Sequence, residues 1–141
     1  MPSWLPWAVL SAVFAALTAV LAKAGLADVD ADLATLLRTV VIAAVLAGLV
    51  AATGKWRDPR ALPPRSLAFL AGSALATGAS WVCYFRALQI GEAAKVAPVD
   101  KLSVVLVAVF AVAVLGERLA PREWAGIGLV GAGVVVLALK R

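Results

Sequence analysis

The sequence predicts an all-α integral membrane protein with five transmembrane helices. Of its 141 residues, 64% are hydrophobic and 15% are charged, whereas a soluble domain carries about 25% charged and about 45–50% apolar residues. The mean hydropathy is +1.01. The charged residues also cluster, so that apolar stretches alternate with short polar connections. This excess of apolar surface must face lipid.

The expected spans, all within one transmembrane domain of residues 1–141, are residues 4–26, 33–53, 66–87, 96–116 and 121–139. A membrane-spanning helix needs ~20 residues, within a range of ~17–25. Only two uncharged stretches reach that length unaided. The other spans must therefore include flanking charged residues whose side chains snorkel to the interface or are buried.

The ends of the spans carry the residues expected at a membrane interface. No Lys or Arg precedes Lys23, and the first apolar run exceeds the ~7–15 residues of a signal sequence, so this segment is expected to remain as a helix. Pro121 suits the first turn of the fifth helix. Aromatic residues lie near the proposed boundaries, as in the aromatic belts of membrane proteins: Trp4, Trp7, Trp56, Trp81, Tyr84 and Trp124.

Several classes of function are disfavoured. The connections are too short for a soluble domain, and without histidine neither a Ser/His/Asp triad nor a typical zinc site can form. Cys83 is alone, and Asp28, Asp30 and Asp32 lack the distal carboxylate of a calcium loop. The +5 charge is scattered over the connections, which favours lipid contacts over nucleic acid. We expect no enzyme activity, cofactor, metal site or nucleic-acid partner.

Asp100 and Lys101 are the charged residues inside the fourth predicted span. A charge at membrane depth costs at least ~2.5–3.5 kcal/mol unless it is paired or hydrated. If the helix starts near Val96, both residues lie ~6–8 Å inside its end. Because they would point about 100° apart, each should pair with, or share a hydrated cavity with, a polar group on another helix. Arg38 and Lys23 are the nearest candidates. The alternative is a helix that starts at Leu102, with both residues in interfacial water, but this leaves a short apolar span.

Lys23 and Arg38 flank the first connection. Both side chains could simply snorkel, as long basic residues at helix ends do. The functional alternative is that they line a cavity for anionic or carboxylate-bearing solutes. The predicted substrate-binding residues are therefore Asp100, Lys101, Lys23 and Arg38.

Small residues recur at helical spacing and predict close helix packing. Gly126, Gly128, Gly131 and Gly133 share the fifth span, although each costs about 1 kcal/mol of helix propensity relative to Ala. We expect this helix to pack against another protein surface. The third span carries a similar series at four-residue spacing: Ala68, Gly72, Ala76 and Ser80.

Two motifs flank the fourth span. One runs from Ala87-Leu88 through Gly91 to Val96-Ala97-Pro98, and the other is Leu115-Gly116-Glu117-Arg118-Leu119, followed by the glycine-rich span. Together they resemble the repeat unit of the EamA family, in the drug/metabolite transporter superfamily, over essentially the whole chain. Typical relatives have ten spans in two inverted five-helix repeats and export metabolites, amino acids or drugs.

The resemblance implies a half-size member that supplies one repeat of an inner-membrane transporter, bacterial or archaeal. The chain departs from the family pattern at Asp100-Lys101, where many relatives have apolar or hydroxylic residues. Glu117 matches a frequent family glutamate, and we expect it to cap the fifth helix or to pair with an arginine. Small multidrug exporters of the superfamily carry a glutamate in the first span. Residues 4–26 have no carboxylate, which disfavours proton-coupled export of cationic drugs by that mechanism. A site with Lys23, Arg38 and Lys101 would favour neutral, zwitterionic or anionic solutes.

The predicted function is a secondary carrier or exporter of a small metabolite or drug-like solute. The alternative is a non-transporting subunit that stabilises another membrane protein. Orientation follows the Lys/Arg asymmetry of short loops, and that asymmetry is close to nil. One side has Lys55, Arg57, Arg60, Arg65, Arg118 and Arg122; the other has Lys23, Arg38, Arg86, Lys95, Lys101, Lys140 and Arg141. This balance predicts a dual-topology, antiparallel homodimer, or else a separately encoded five-helix partner.

Overall fold

The computed structural model describes residues 4–58 and 61–139, and its described residues form helices without strands. Five segments are long and apolar enough to cross a membrane, which confirms the predicted fold class. Arg60, Lys140 and Arg141, which enter the charge count, lie outside the described residues. The helices are α1 (Leu5–Gly25), α2 (Ala31–Ala52), α3 (Pro64–Ile90), α4 (Ala93–Asp100), α5 (Ser103–Phe110) and α6 (Pro121–Ala138).

The fourth span, Ala93–Leu115, is discontinuous. It consists of α4, a turn at residues 101–102, α5 and a π-helical segment, Ala111–Leu115. Pro98 has no amide hydrogen, and the Lys101 amide donates to the carbonyl oxygen of Pro98, three residues back, at 3.0 Å. One helix thus begins earlier than Val96, at Ala93, and a second begins at Ser103 with Leu102 as its N-cap. Which of the two expected starts lies at the membrane surface stays a prediction. The span ends at Gly116, whose φ of 70° suits glycine.

Two compact units are present. The first contains the early part of α1 together with α4, α5 and α6. Here α6 packs against α4 and α5, and Ala108 and Val134 are buried. A Cβ at Gly131 would lie 3.2 Å from Val105 Cγ2. Gly131 therefore permits close packing between α5 and α6.

The start of α6 is capped by a residue other than the expected one. Pro121 opens the helix, and the backbone amide of Ala120 donates to Glu123 Oε2 at 2.6 Å. Glu117 lies in the preceding loop. The expectation that Glu117 caps this helix is therefore wrong, because Glu123, in the first turn of the helix, makes the capping hydrogen bond.

The second unit is Leu21–Ile90, which contains the end of α1, α2 and α3. Its buried residues lie near the α1–α2 connection and the carboxyl end of α3, where Phe85 is 2% and Leu88 0% exposed. Asp30 caps α2 by accepting hydrogen bonds from the amides of Asp32 and Leu33. This end of the unit is therefore the well-packed end.

Most apolar side chains of the spans are not covered by the chain itself. In each span, at most 11% of the residues in the most apolar window are buried. Trp4, Trp7 and Trp56 are exposed near helix ends, as expected of interfacial tryptophans. Trp81 differs, because α3 continues to Ile90 and places it about 14 Å inside the helix by the 1.5 Å rise.

Candidate solute site

A cleft of about 600 Å³ runs between α2 and α3 and is open on one side. Its volume lies within the ~300–1,000 Å³ typical of small-molecule pockets, and its walls are mainly apolar with a few polar groups, as in such pockets. The polar lining residues are Asp32, Thr35, Thr39, Ser73 and Thr77, and the apolar ones are Leu36, Leu70, Ala74, Gly78, Trp81 and Val82.

The hydroxyl groups of the cleft come in pairs at four-residue spacing, Thr35 with Thr39 and Ser73 with Thr77, which places each pair on one helix face. Thr39 Oγ1 donates to the carbonyl oxygen of Thr35 at 2.7 Å, and Thr77 Oγ1 to that of Ser73 at 2.8 Å. The hydroxyl protons of Thr39 and Thr77 are thus committed to the helices, and their oxygens keep lone pairs that can accept hydrogen bonds. Sequence reasoning missed this site, although the two hydroxyl pairs on neighbouring spans were a usable signal.

Arg38 lies against one wall of the cleft. Its guanidinium carbon is 4.3 Å from the ring centroid of Trp81 and 5.3 Å from that of Phe85. A cation over an aromatic face is stabilised by the ring's quadrupole. Arg38 is not among the lining residues of the cleft. Arg38 therefore supports the cleft indirectly, through its contact with Trp81.

An ion pair lies at the end of the cleft nearest the α1–α2 connection. Arg86 donates through Nε to Asp32 Oδ1 at 2.9 Å and through Nη2 to Asp32 Oδ2 at 2.6 Å. This two-bond geometry is the one that an arginine fork makes with a carboxylate. Asp32 also lines the cleft, so the pair joins α2 to α3 at its edge.

Two further bonds tie the carboxyl end of α3 to the α1–α2 region. Lys23 Nζ donates to the carbonyl oxygen of Leu88 at 2.7 Å, and Gln89 Nε2 to that of Val29 at 3.2 Å. An ammonium at the last carbonyls of a helix also interacts favourably with the helix dipole. Lys23 therefore has a structural contact, and its role in solute binding stays a prediction. Within the residues that are described, no cluster of three or more potential metal ligands occurs.

Asp100 and Lys101 pair with each other. Lys101 Nζ lies 3.2 Å from Asp100 Oδ2, and the side chains are 54% and 35% exposed for Lys101 and Asp100 respectively. The expectation that each would pair directly with a group on another helix is therefore wrong for the described residues of the single chain, and a hydrated cavity shared with another helix stays a prediction. The 100° separation assumed a continuous helix, whereas α4 ends here and Lys101 is its C-cap. Lys23 and Arg38 belong to the unit with the cleft, and Asp100 and Lys101 to the other unit.

Comparison with known proteins identifies the family. The sequence profile of the EamA-like transporter family matches residues 2–139. The chain belongs to the EamA family. A relative from Sinorhizobium sp, named "Uncharacterized transporter in cobO 3'region", is 58% identical over 137 residues, which cover 97% of each chain. No solved structure gives a significant match.

Membership confirms the resemblance seen in the motifs around the fourth span. The Sinorhizobium relative and this EamA chain match over 97% of the length of each, and the described residues of this chain contain five helices long enough to span a membrane. The chain is a multi-pass inner-membrane protein of a transporter family.

Proposed function

We propose that two copies of this EamA chain form a secondary carrier for a small metabolite or drug-like solute, and that each copy contributes its α2–α3 cleft to the solute path. The observation that supports the proposal most is the cleft itself. It combines the volume of a small-molecule site with apolar walls and a few hydroxyl groups. Such walls bind the apolar body of a solute, while the polar groups orient it.

A second copy is part of the proposal for physical reasons. The cleft is open on one side, and Gly126, Gly128 and Gly133 have no atom within 4 Å of where a Cβ would stand. In lipid, helices associate where small residues allow close approach. The balanced Lys/Arg count favours an antiparallel homodimer. A separately encoded five-helix subunit is the alternative partner.

The four predicted site residues enter the proposal in two ways. Arg38 supports the cleft wall through Trp81, and Lys23 holds the end of α3 through Leu88. Asp100 and Lys101 are proposed to contact the solute directly. A carrier with these cations favours neutral, zwitterionic or anionic solutes.

The rival function is a non-transporting subunit that stabilises another membrane protein. One observation favours it: Lys101 neutralises Asp100 locally, so the pair does not require a solute. The two functions differ in one measurable respect, because only a carrier exchanges solutes when the chain is reconstituted alone.

Two glycines of α3 provide the test. Gly78 lines the cleft, Gly72 does not, and a Cβ at either position meets no atom within 4 Å. Purified chain in liposomes is screened for exchange of labelled sugars, amino acids, carboxylates and amines. We expect Gly78→Leu to abolish exchange by filling the cleft and Gly72→Leu to retain it. Normal exchange by a folded Gly78→Leu protein would remove the cleft from the path. Absence of exchange for every solute would favour the subunit function.

A further inference from the structure

We infer that Asp100 and Lys101 form a charge-balanced site that binds a carboxylate-bearing anion together with one proton, which makes the carrier an electroneutral proton–anion cotransporter. The inference rests on the proposed function, because it assigns a solute class and a coupling ion to that carrier. It is carried by the position of the pair within the span, by the turn in the helix at the pair and by the ion pair that Asp100 forms with Lys101 among the described residues.

The depth of the pair makes its charge balance important. Asp100 is the eighth residue of the span Ala93–Leu115, about 10 Å from its start by the 1.5 Å rise. From residue 96 to residue 116, Asp100 and Lys101 are the only charged residues. At such a depth an unpaired charge is costly, and ionisable residues there serve substrate, ion or proton pathways.

The helix tightens into a short turn at the pair, where Lys101 and Leu102 keep right-handed helical backbone angles. The amides of Lys101 and Leu102 donate three residues back, to the carbonyl oxygens of Pro98 and Val99, both at 3.0 Å. Short stretches with three-residue hydrogen bonds inside a helix often mark functional positions. The carboxyl end of α4 carries partial negative charge, which favours Lys101 beside it and disfavours an unpaired Asp100 carboxylate.

Several other charged residues of this unit have partners of their own. At the start of α4, Lys95 Nζ lies 3.0 Å from Glu92 Oε2. On α6, which packs against α4, the charged residues are Arg122 and Glu123 in the first turn, and Glu123 accepts from the Ala120 amide. The helix α5 has no charged residue. Within the described part of this unit, Lys101 is thus the cation that balances Asp100.

The cost of an unbalanced charge within the membrane then couples binding of the anion to binding of a proton. A solute carboxylate that binds the Lys101 ammonium takes the place of Asp100, whose carboxylate loses its counter-ion. One hydronium ion from the aqueous phase gives its proton to a carboxylate oxygen of Asp100 and leaves as water, which restores neutrality. The resting site holds one carboxylate and one ammonium, and the loaded site holds a neutral acid and an ammonium–carboxylate pair. The proton and the anion therefore enter and leave together, and no net charge moves.

The wild-type protein gives the first test. Liposomes that contain the chain and an internal pH dye are given lactate, gluconate or benzoate, and, as uncharged counterparts, lactamide, gluconamide or benzamide. Protein-free liposomes report leakage of the neutral acids and amides. We expect protein-dependent uptake of at least one carboxylate, with one proton per anion, acceleration by an inward proton gradient and no response to a potassium–valinomycin potential. The matching amide should show no protein-dependent uptake.

Substitutions locate the coupling. Asp100→Asn should carry the anion without a proton, so its uptake should ignore the proton gradient and respond to the membrane potential. Lys101→Met should lower carboxylate uptake by roughly tenfold or more, the factor expected when a contact worth about 1.4 kcal/mol is lost, and Lys101→Arg should restore it. Glu92→Gln and Lys95→Met, which alter an ion pair at the helix end, should leave the coupling unchanged.

The outcomes separate this inference from the proposed function. The inference would be overturned if the wild type takes up other solutes but none of the three carboxylates. It would also be overturned if carboxylate uptake by the wild type moves net charge. Either result would leave the proposed carrier function standing. A well-folded Asp100→Asn protein that still carries one proton per anion would also overturn it. Failure of every solute in the wider screen would overturn the carrier itself. If Asp100→Asn does not insert, the wild-type proton count decides.

Discussion

Two glycines of α6 distinguish packing within one chain from packing between chains. A Cβ at Gly131 would lie 3.2 Å from Val105 Cγ2, whereas a Cβ at Gly128 meets no atom within 4 Å. The perturbation is leucine at each position in turn. Gly131→Leu should disturb the packing of α6 against α5 within the chain. Gly128→Leu should disturb the packing of α6 against a second chain.

The magnitudes follow from helix propensity and packing. Each substitution gains about 1 kcal/mol, because leucine is a better helix former than glycine. At position 131, overpacking against a stiff, β-branched valine costs about 1–3 kcal/mol. The net effect on the single chain should lie between about zero and 2 kcal/mol of destabilisation. At position 128 the single chain should not be destabilised, but a dimer packed through this face should weaken tenfold or more, which is about 1.4 kcal/mol.

The assays measure the two effects separately. Unfolding of the detergent-solubilised monomer reports the stability of the chain, and energy transfer between labelled chains, measured over a dilution series in liposomes, reports association. The expected pattern is a weaker dimer with an intact monomer for Gly128→Leu and a less stable monomer for Gly131→Leu. If Gly128→Leu dimerises as tightly as the wild type, α6 faces lipid at this position and the packing argument fails.

Three further predictions use other contacts. Lys23→Met should increase the exchange of backbone amide hydrogens at the end of α3, because the ammonium no longer binds the Leu88 carbonyl, and the loss should lower local stability by about 1 kcal/mol. Lys23→Arg should keep these amides protected. Unchanged exchange in the methionine variant would contradict this prediction. Arg38→Met should lower the free energy of unfolding by about 1 kcal/mol through loss of the contact with Trp81, whereas equal stability of the variant and the wild type would show that the contact contributes nothing. On a Cys83→Ala background, single cysteines in the loop of residues 54–65 and at the carboxyl terminus should each be labelled from both sides of the membrane; strictly one-sided labelling in cells without a partner would rule out dual insertion.

Composition was sufficient to predict the five spans, because the lipid phase requires long, nearly uncharged helices whatever their contacts. The break in the fourth span was visible in part, since Pro98 cannot donate a backbone hydrogen bond. The pairing of Asp100 with Lys101 was not predicted, because the expected 100° separation between the two side chains holds only in a continuous helix.

The α2–α3 cleft was harder to predict from sequence. Asp32 and Arg86 are 54 positions apart, and their pairing depends on how two helices pack, which the local pattern does not specify. Asp32 looked like one of three loop aspartates, and Trp81 like an interfacial anchor. Both interpretations changed because α2 begins at Ala31 and α3 extends to Ile90, which moves these side chains into the helical pair.

Solute flux as a function of the number of chains per vesicle tests the central claim most directly. The purified chain is reconstituted alone at decreasing protein-to-lipid ratios, until most of the vesicles that contain protein hold a single copy. Exchange of a transported solute is then measured per chain. A carrier built from two copies should lose flux per chain as single-copy vesicles come to dominate. Constant flux per chain down to one copy would contradict the dimer, and no flux at any ratio would contradict the carrier.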